Sequence, residues 1–308
     1  MGRRRRKRGG NQPQGEDRIQ RLTDRLSDYT PVQPNERIRL ETTKNELIGR
    51  TIDLIAPIGR GQRVLITSPP KAGKTTVLQK IALAVHDNHP DIHQVAILVD
   101  ERPEEATDFK RNIPIDVHAS TTDRGPGEHI KLVERIFTES MERLLDGEDV
   151  LILMDSLTRL ARAYNTKHAN AGRTLSGGVT AGALDRPRQL FGVARNFEEA
   201  GSMTIIATAL VDTGSRMDEV IFQEFKGTGN SEFVLDRKLA NRRLWPAVDI
   251  GASGTRKEAL LHDDVEQKKV PGLRRKVSDM GETEALEWLL KRLKKTETNN
   301  EFLKSMIS

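Results

Sequence analysis

From residue 63 to residue 85 the chain reads RVLIT, then SPPKAGKT, then an amphipathic stretch, an order that few folds accommodate. RVLIT is a short β-branched run leading directly into the loop at 68–75. Beyond it, Val77, Leu78, Ile81, Ala82 and Val85 recur on one helical face. Strand, glycine-containing loop and helix in that order frame the phosphate-binding pattern G-x-x-x-x-G-K-[ST]. Here Ser68 stands at the first glycine, followed by Pro69 and Pro70, which have fixed φ and no amide to offer. Both prolines fall on the outer arc of the loop, where rigidity helps and lost donors need not matter. Gly73 permits the tight turn, and amides of the first helical turn aim at an anion. Lys74 is placed to reach β/γ-phosphates and the Thr75 hydroxyl to ligate Mg²⁺.

The rest of the chain alternates in the same manner. QVAILVD (94–100), DVLILMD (149–155) and SMTIIATAL (202–210) are continuous apolar runs, as expected of strands buried on both faces. Helical stretches lie between them, including 128–145. The expected fold is α/β, with a mainly parallel sheet flanked by helices. Ligands on such sheets sit at the carboxyl ends of the strands. No repeat of solenoid period is present.

Two carboxylates suit that position. Asp155 closes LILMD, the second half of a Mg²⁺ site beside a phosphate loop. Hydrolysis also needs a group to orient and polarise water, and VDERPEE (99–105) offers Asp100, Glu101, Glu104 and Glu105. Glu101 lies just past the strand end and is the preferred candidate. Glu104 and Glu105 follow Pro103 as first-turn acids that the helix dipole favours by itself, and are set aside.

Composition narrows the class. At 308 residues the chain holds one large domain, or a domain with an appendage. Absence of cysteine excludes disulfides and thiolate chemistry and suits a reducing, cytoplasmic setting. No apolar run approaches the ~18 residues of a membrane span. Of 50 Lys/Arg and 45 Asp/Glu, residues 1–50 hold 13 and 7, so the basic excess belongs to the start of the chain. Residues 1–15 carry six basic residues and no acid, a composition that reads as a disordered basic tail contacting nucleic acid, or as a solubilising extension. Residues 16–46 read as a short helix, with Ile19, Leu22 and Leu26 on one face, followed by a proline-bearing linker at 29–35. The balanced body, 47–308, is expected to meet any nucleic acid through a few loops.

Read together, IGRGQRVLITSPPKAGKTT, VDERPEE, LILMDSLTRLARAYN, TIIATALVDTGSRMDEVIFQEFKGTGN and GTRKE closely resemble the bacterial transcription termination factor Rho family. The resemblance runs from about Tyr29 to the C-terminus, and the proline pair is that family's own version of the loop. It implies a RecA-like P-loop ATPase, assembled as a homo-hexameric ring, that translocates 5′ to 3′ along RNA with ATP and Mg²⁺. RNA polymerase in its elongation complex is the implied further partner.

By motif, Lys71, Ala72, Gly73, Lys74, Thr75 and Thr76 would hold the phosphates and metal, with Asp155 on the metal side. Glu101 matches the catalytic glutamate, and Arg102 a nucleotide-pocket residue. Gly59, Arg60, Gly61, Gln62, Arg63 and Val64 match a stretch lining the same pocket. Arg256 matches an arginine finger supplied to the neighbouring subunit, and Arg243 resembles a second basic residue near that interface. Trp245 stands where the family usually stacks phenylalanine on adenine.

Two loops would face RNA in the channel. NAGRTLSGGVTAG (170–182) brings Arg173, Thr174 and Ser176. DTGSR (212–216) brings Thr213, Gly214, Ser215 and Arg216, with arginine where the family usually has lysine.

One departure stands out. The family normally begins with a helical segment and an OB-fold that binds cytosine-rich RNA through aromatics, whereas residues 1–28 contain no aromatic. The expectation is therefore the motor and a short linker without the primary RNA site. A non-terminating RNA-binding regulator and a ring ATPase with a protein client stay open as alternatives.

Overall fold

A computed structural model of the chain describes residues 15–169, 174 and 176–306. Its strands are β1 (Pro31–Val32), β2 (Arg37–Ile38), β3 (Ile58–Gly59), β4 (Arg63–Ser68), β5 (His93–Glu101), β6 (Asp116–Thr121), β7 (Val150–Asp155), β8 (Asn196–Phe197), β9 (Met203–Leu210), β10 (Ser231–Val234) and β11 (Gly254–Thr255). Seven of them form one sheet in the order β11-β10-β4-β9-β7-β5-β6, parallel throughout except for β11. Short antiparallel ribbons join β1 to β8 and β2 to β3.

Alternate residues of the central strands feed two cores. Ala96 and Leu98 of β5 face the core under α2 (Leu47–Ile55), α3 (Lys74–Asn88) and α4 (Pro103–Asn112). Val95, Ile97 and Val99 face the opposite core, under α1 (Gly15–Leu26), α5 (Pro126–Leu145) and α6 (Leu157–His168). Apolar residues at both alternating positions are what a strand covered on both faces requires. α7 (Asp185–Gly192) and α8 (Arg216–Thr228) extend the second layer, and α9 (Arg237–Asn241) follows β10. α10 (Asp264–Ser278), α11 (Glu282–Leu293) and α12 (Asn299–Ser305) close the first.

Start signals are local. Pro103 and Pro126 occupy first turns, where a missing amide is harmless, and Asp263 with Glu266 forms a capping box on α10.

The segment read as helix and linker is built into the body. Ile19, Leu22 and Leu26 are buried in the second core, and Ile38 and Leu40 in the first. The basic tail lies outside the described residues except for Gly15. Arg50 on α2 is fully buried and fastens the end of α11. It donates to the carbonyls of Leu293 at 2.8 Å, Thr296 at 2.9 Å and Lys44 at 3.1 Å, and to Asn299 Oδ1 at 3.1 Å.

Candidate nucleotide site

The parallel register brings the carboxyl ends of β4, β9, β7 and β5 to one edge: Ser68 lies opposite Leu210, and Asp155 opposite Leu98. β5 runs three residues further to Glu101, through a bulge between Val99 and Glu101 where Asp100 has φ 54°. The extra residue reverses the strand's alternation. Asp100 turns toward α5 and α6, within 3.8 Å of His129 Nε2 and 4.0 Å of Arg159 Nη1. Glu101 turns in over the loop.

Between Ser68 and α3, Lys71 has φ 63° and Gly73 φ 95°, the left-handed region that only glycine enters without strain. Gly73 caps α3 with no side chain, so amides of the first turn remain open toward an anion. Pro70 lies on the outer arc, its carbonyl accepting from Arg237 Nη1, and Ala72 is buried beneath the loop.

Lys74, first residue of α3, donates to Asp155 Oδ2 at 2.5 Å and to Glu101 Oε2 at 3.3 Å. Burial lowers the Lys74 pKa, but Asp155 and Glu101 outweigh it and the net direction is upward. Burial likewise raises Glu101, and Lys74 with Arg159 outweighs it downward. Asp155 Oδ1 accepts from Thr208 at 2.8 Å, so both its oxygens are engaged.

Trp245 stands over the loop with 45% of its surface exposed; a Cβ added at Gly73 would lie 2.8 Å from its Cζ3. Arg243 is exposed two residues before it, with φ 61°. Arg102 is exposed at the mouth and pairs with Glu105 at 3.1 Å.

Glu105, set aside in the sequence, returns to the site, and Arg159 and Thr208 join it unannounced. Glu105 shares a hydrogen bond with Glu101, and burial, then that neighbouring carboxylate, raises its pKa. Arg159 of α6 lies 3.4 Å from Glu101 Oε1. Thr208 fixes Asp155 from β9. Their shared signal is position: each lies at or just beyond the carboxyl end of a sheet strand.

The expectation that residues 59–64 line this pocket is corrected. They lead into and open β4 at its amino end, and from Val64 the strand still runs about 13 Å before the loop begins at Ser68. Arg60 is held there by Asp149 and Asp91, and Gly61 N donates to Thr204 Oγ1 at 2.9 Å. Gln62 and Arg63 bond Asn230 at 2.5 and 2.9 Å, and Val64 is buried in the core. Arg256 shares this end of the sheet: its amide donates to Asn230 O at 2.9 Å and the residue is exposed. Burial, then Arg195 and Arg256, lowers the Arg63 pKa.

The two loops assigned to RNA meet beside α8. Thr213, Gly214, Ser215 and Arg216 line a cavity of about 400 Å³ together with Phe222. Ser215 caps α8, Thr213 Oγ1 donates to Asp218 at 2.6 Å, and Arg216 is exposed. Thr174 is exposed and bridges to Thr180, and Ser176 opens a 3₁₀ turn in which a Cβ at Gly177 would lie 2.7 Å from Val220. Arg173 lies outside the described residues.

Comparison with known proteins agrees with the geometry. The nucleotide-binding domain of the ATP synthase alpha/beta family matches residues 49–255. A prototypical ATPase from the type III secretion system of pathogenic bacteria superposes with a TM-score of 0.75 at 22% identity, covering 89% of this chain and 85% of that one. The assembled ATPase EscN of the enteropathogenic E. coli type III secretion system gives 0.71 at 21% identity, covering 89% and 71%. At that identity the likeness is one of fold.

Sequence relatives are nearer. Transcription termination factor Rho of Cereibacter sphaeroides is 51% identical over 91% of this chain and 67% of its own length. That of Pseudomonas aeruginosa is 51% identical over 91% and 68%. That of Mycobacterium tuberculosis H37Rv is 53% identical over 89%, and there the chain spans under half, 46%, of the relative. Both the family match and these identities lead to one conclusion: the chain belongs to the transcription termination factor Rho family and carries its nucleotide-binding ATPase domain.

Proposed function

We propose that this chain is the motor of a Rho-type termination factor: a ring ATPase that hydrolyses ATP in response to RNA and moves 5′ to 3′ along it. The observation that carries this reading is the Lys74–Asp155–Glu101 cluster at the mouth of a glycine-capped helix. An anion at that helix start would take Lys74 away from its two carboxylates. Asp155 would then be free for metal work, and Glu101 for water.

The donor set fits magnesium. Thr75 is partly exposed beside the loop, and hydroxyl with carboxylate is the hard oxygen pair Mg²⁺ prefers. Thr75 and Asp155 would hold the metal, which would supply charge neutralisation at the phosphates. Thr76 and Lys71 complete the phosphate contacts, Trp245 the base contact, and Arg102 and Arg243 the mouth.

Arg256 faces away from this pocket, so it would serve a nucleotide only across an interface. A head-to-tail homo-hexamer supplies it, with Arg256 reaching the neighbour's phosphates. RNA lies against 174–180 and 212–216, and the elongating polymerase is the target. Among the described residues no helix is long and apolar enough to cross a membrane.

ATP hydrolysis measured with and without RNA homopolymers, beside gel filtration, tests the proposal. RNA-stimulated turnover in a ring-sized fraction supports it; turnover indifferent to every RNA refutes it.

A further inference from the structure

Arg256 follows directly on β11, a strand of two residues at one edge of the sheet, paired to β10 through Ser231–Thr255 and Glu232–Gly254. So short an edge ribbon is marginal by itself. The next residue, Lys257, has φ 56°, a left-handed turn that an L side chain enters at a cost. The chain then folds back through a single 3₁₀ turn, Glu258–Leu260. Ribbon and turn alone leave the direction of a long exposed side chain weakly set.

One residue of α10 spans this segment. Arg274 Nη1 donates to the carbonyls of Ser253 at 2.9 Å and Ile250 at 3.4 Å. Its Nη2 donates to Glu258 Oε2 at 3.0 Å and to the carbonyl of Ile55, the last residue of α2. Ser253 lies three residues before Arg256 and Glu258 two after it, so the guanidinium closes residues 254–257 into a short loop that carries Arg256. A Cβ at Gly254 would lie 3.6 Å from Nη2, so the fork packs against the ribbon itself. The ribbon is also pinned from within: Thr255 Oγ1 donates to Pro57 O at 2.8 Å, and Ser253 Oγ accepts from Val234 N at 2.9 Å. Arg274 adds the tie across the left-handed turn. A planar guanidinium can serve acceptors on both sides at once, and a charge-assisted bond to Glu258 makes that tie directional.

We infer that Arg274 is a positioning residue for Arg256: with Glu258 it sets the direction in which that arginine leaves this chain toward the nucleotide of a second copy. This rests on the reading of Arg256 as a residue shared across an interface and adds the group that holds it. Arg274 binds α2, the 250–253 turn and Glu258, none of which belongs to the Lys74–Asp155–Glu101 cluster. Its loss should therefore damage the neighbour's centre and spare its own phosphate loop.

The test sorts full-length variants by which partner restores them. The reference pair is Arg256→Ala, which lacks the arginine offered to the neighbour, and Lys74→Ala, which lacks the phosphate-loop lysine. Arg274→Gln alone should keep its affinity for a non-hydrolysable ATP analogue while kcat falls on the order of 10²-fold, the effect of a misplacement of about 1 Å. Co-assembled with Lys74→Ala, it should regain roughly tenfold or more, because that chain lends a well-held Arg256 to an intact phosphate loop. Co-assembled with Arg256→Ala, it should regain nothing, since both lesions lie at the same end. Arg274→Lys keeps the charge but cannot span Ser253 and Glu258 together, so its turnover should fall between. Glu258→Ala removes only the anchor beyond the turn and should sort in the same way, which serves if Arg274→Gln does not fold. Wild-type turnover in these variants, or no recovery with Lys74→Ala where the reference pair recovers, overturns the inference alone. A reference pair that co-assembles without recovering overturns the shared-site reading instead.

Discussion

The indole of Trp245 packs so closely on the loop that a methyl group at Gly73 would meet its Cζ3 at 2.8 Å. Indole and loop are thus one surface, set at a separation that only glycine permits. Gly73 also has φ 95°, where an L side chain costs about 1–2 kcal/mol. Gly73→Ala should weaken binding of an ATP analogue by about tenfold or more, since 1.4 kcal/mol is a factor of ten. Quenching of Trp245 fluorescence reads this directly, and wild-type affinity in the variant would refute the packing argument.

Glu101→Gln should keep analogue affinity and assembly while turnover drops by about 10²–10⁴-fold. Single-turnover hydrolysis distinguishes this from a binding defect, and normal turnover would return the role to Asp100.

The pH profile carries a sign. Burial raises the Glu101 carboxyl, but Lys74 and Arg159 hold it below the ordinary 4.5 in the free chain. Bound phosphate engages Lys74 and removes part of that hold, so the pKa rises in the complex. The acid limb of kcat should therefore lie at higher pH than the acid limb of kcat/KM. Coincident or reversed limbs would show that Lys74 does not set the Glu101 charge.

Arg256→Ala and Lys74→Ala should each be inactive alone, and mixed chains should recover activity where intact halves meet. A finger arginine contributes about 10³–10⁵ in rate, so even a few restored interfaces are measurable. Co-assembled but inactive mixtures would exclude the shared site.

Arg50→Met tests the body independently of function. The arginine is buried with its donors on Leu293, Thr296, Lys44 and Asn299, each of which loses the arginine's hydrogen bond. The change should cost about 3–5 kcal/mol in urea unfolding, as breaking a buried charged network does. An unchanged midpoint would mean the C-terminal helices are held by apolar packing alone.

Much of this architecture is legible in the sequence because buried parallel strands and loop geometry are local. RVLIT, QVAILVD, DVLILMD and SMTIIATAL fall on β4, β5, β7 and β9, and Ile19, Leu22 and Leu26 bury as one face. Asp155 and Glu101 are legible because strand ends converge in a parallel sheet. What the sequence hides is sidedness. Glu101 reaches Lys74 only because of the bulge at Asp100, which no alternation pattern announces. Residues 59–64 read as neighbours of the loop they precede, yet a strand separates the two. Arg159, Arg162 and Asn165 sit in α6, yet Glu101, Asp218 and Gly178, which they respectively contact, lie 13 to 58 residues away along the chain, and spacing on one helix does not name them.

The placement of Arg256 at the far end of the sheet from the phosphate loop gives each protomer a front and a back. Such surfaces join head to tail, and they close into a ring only when the rotation between copies returns to its start. If the proposed ring forms, a working centre would need the back of one copy and the front of the next. If a chain defective at both ends mixes at random with intact chains, the fraction of competent centres is the square of the intact fraction. Half-replacement with that chain would leave a quarter of the centres, not half. A cell carrying both versions would respond to the defective one out of proportion to its amount.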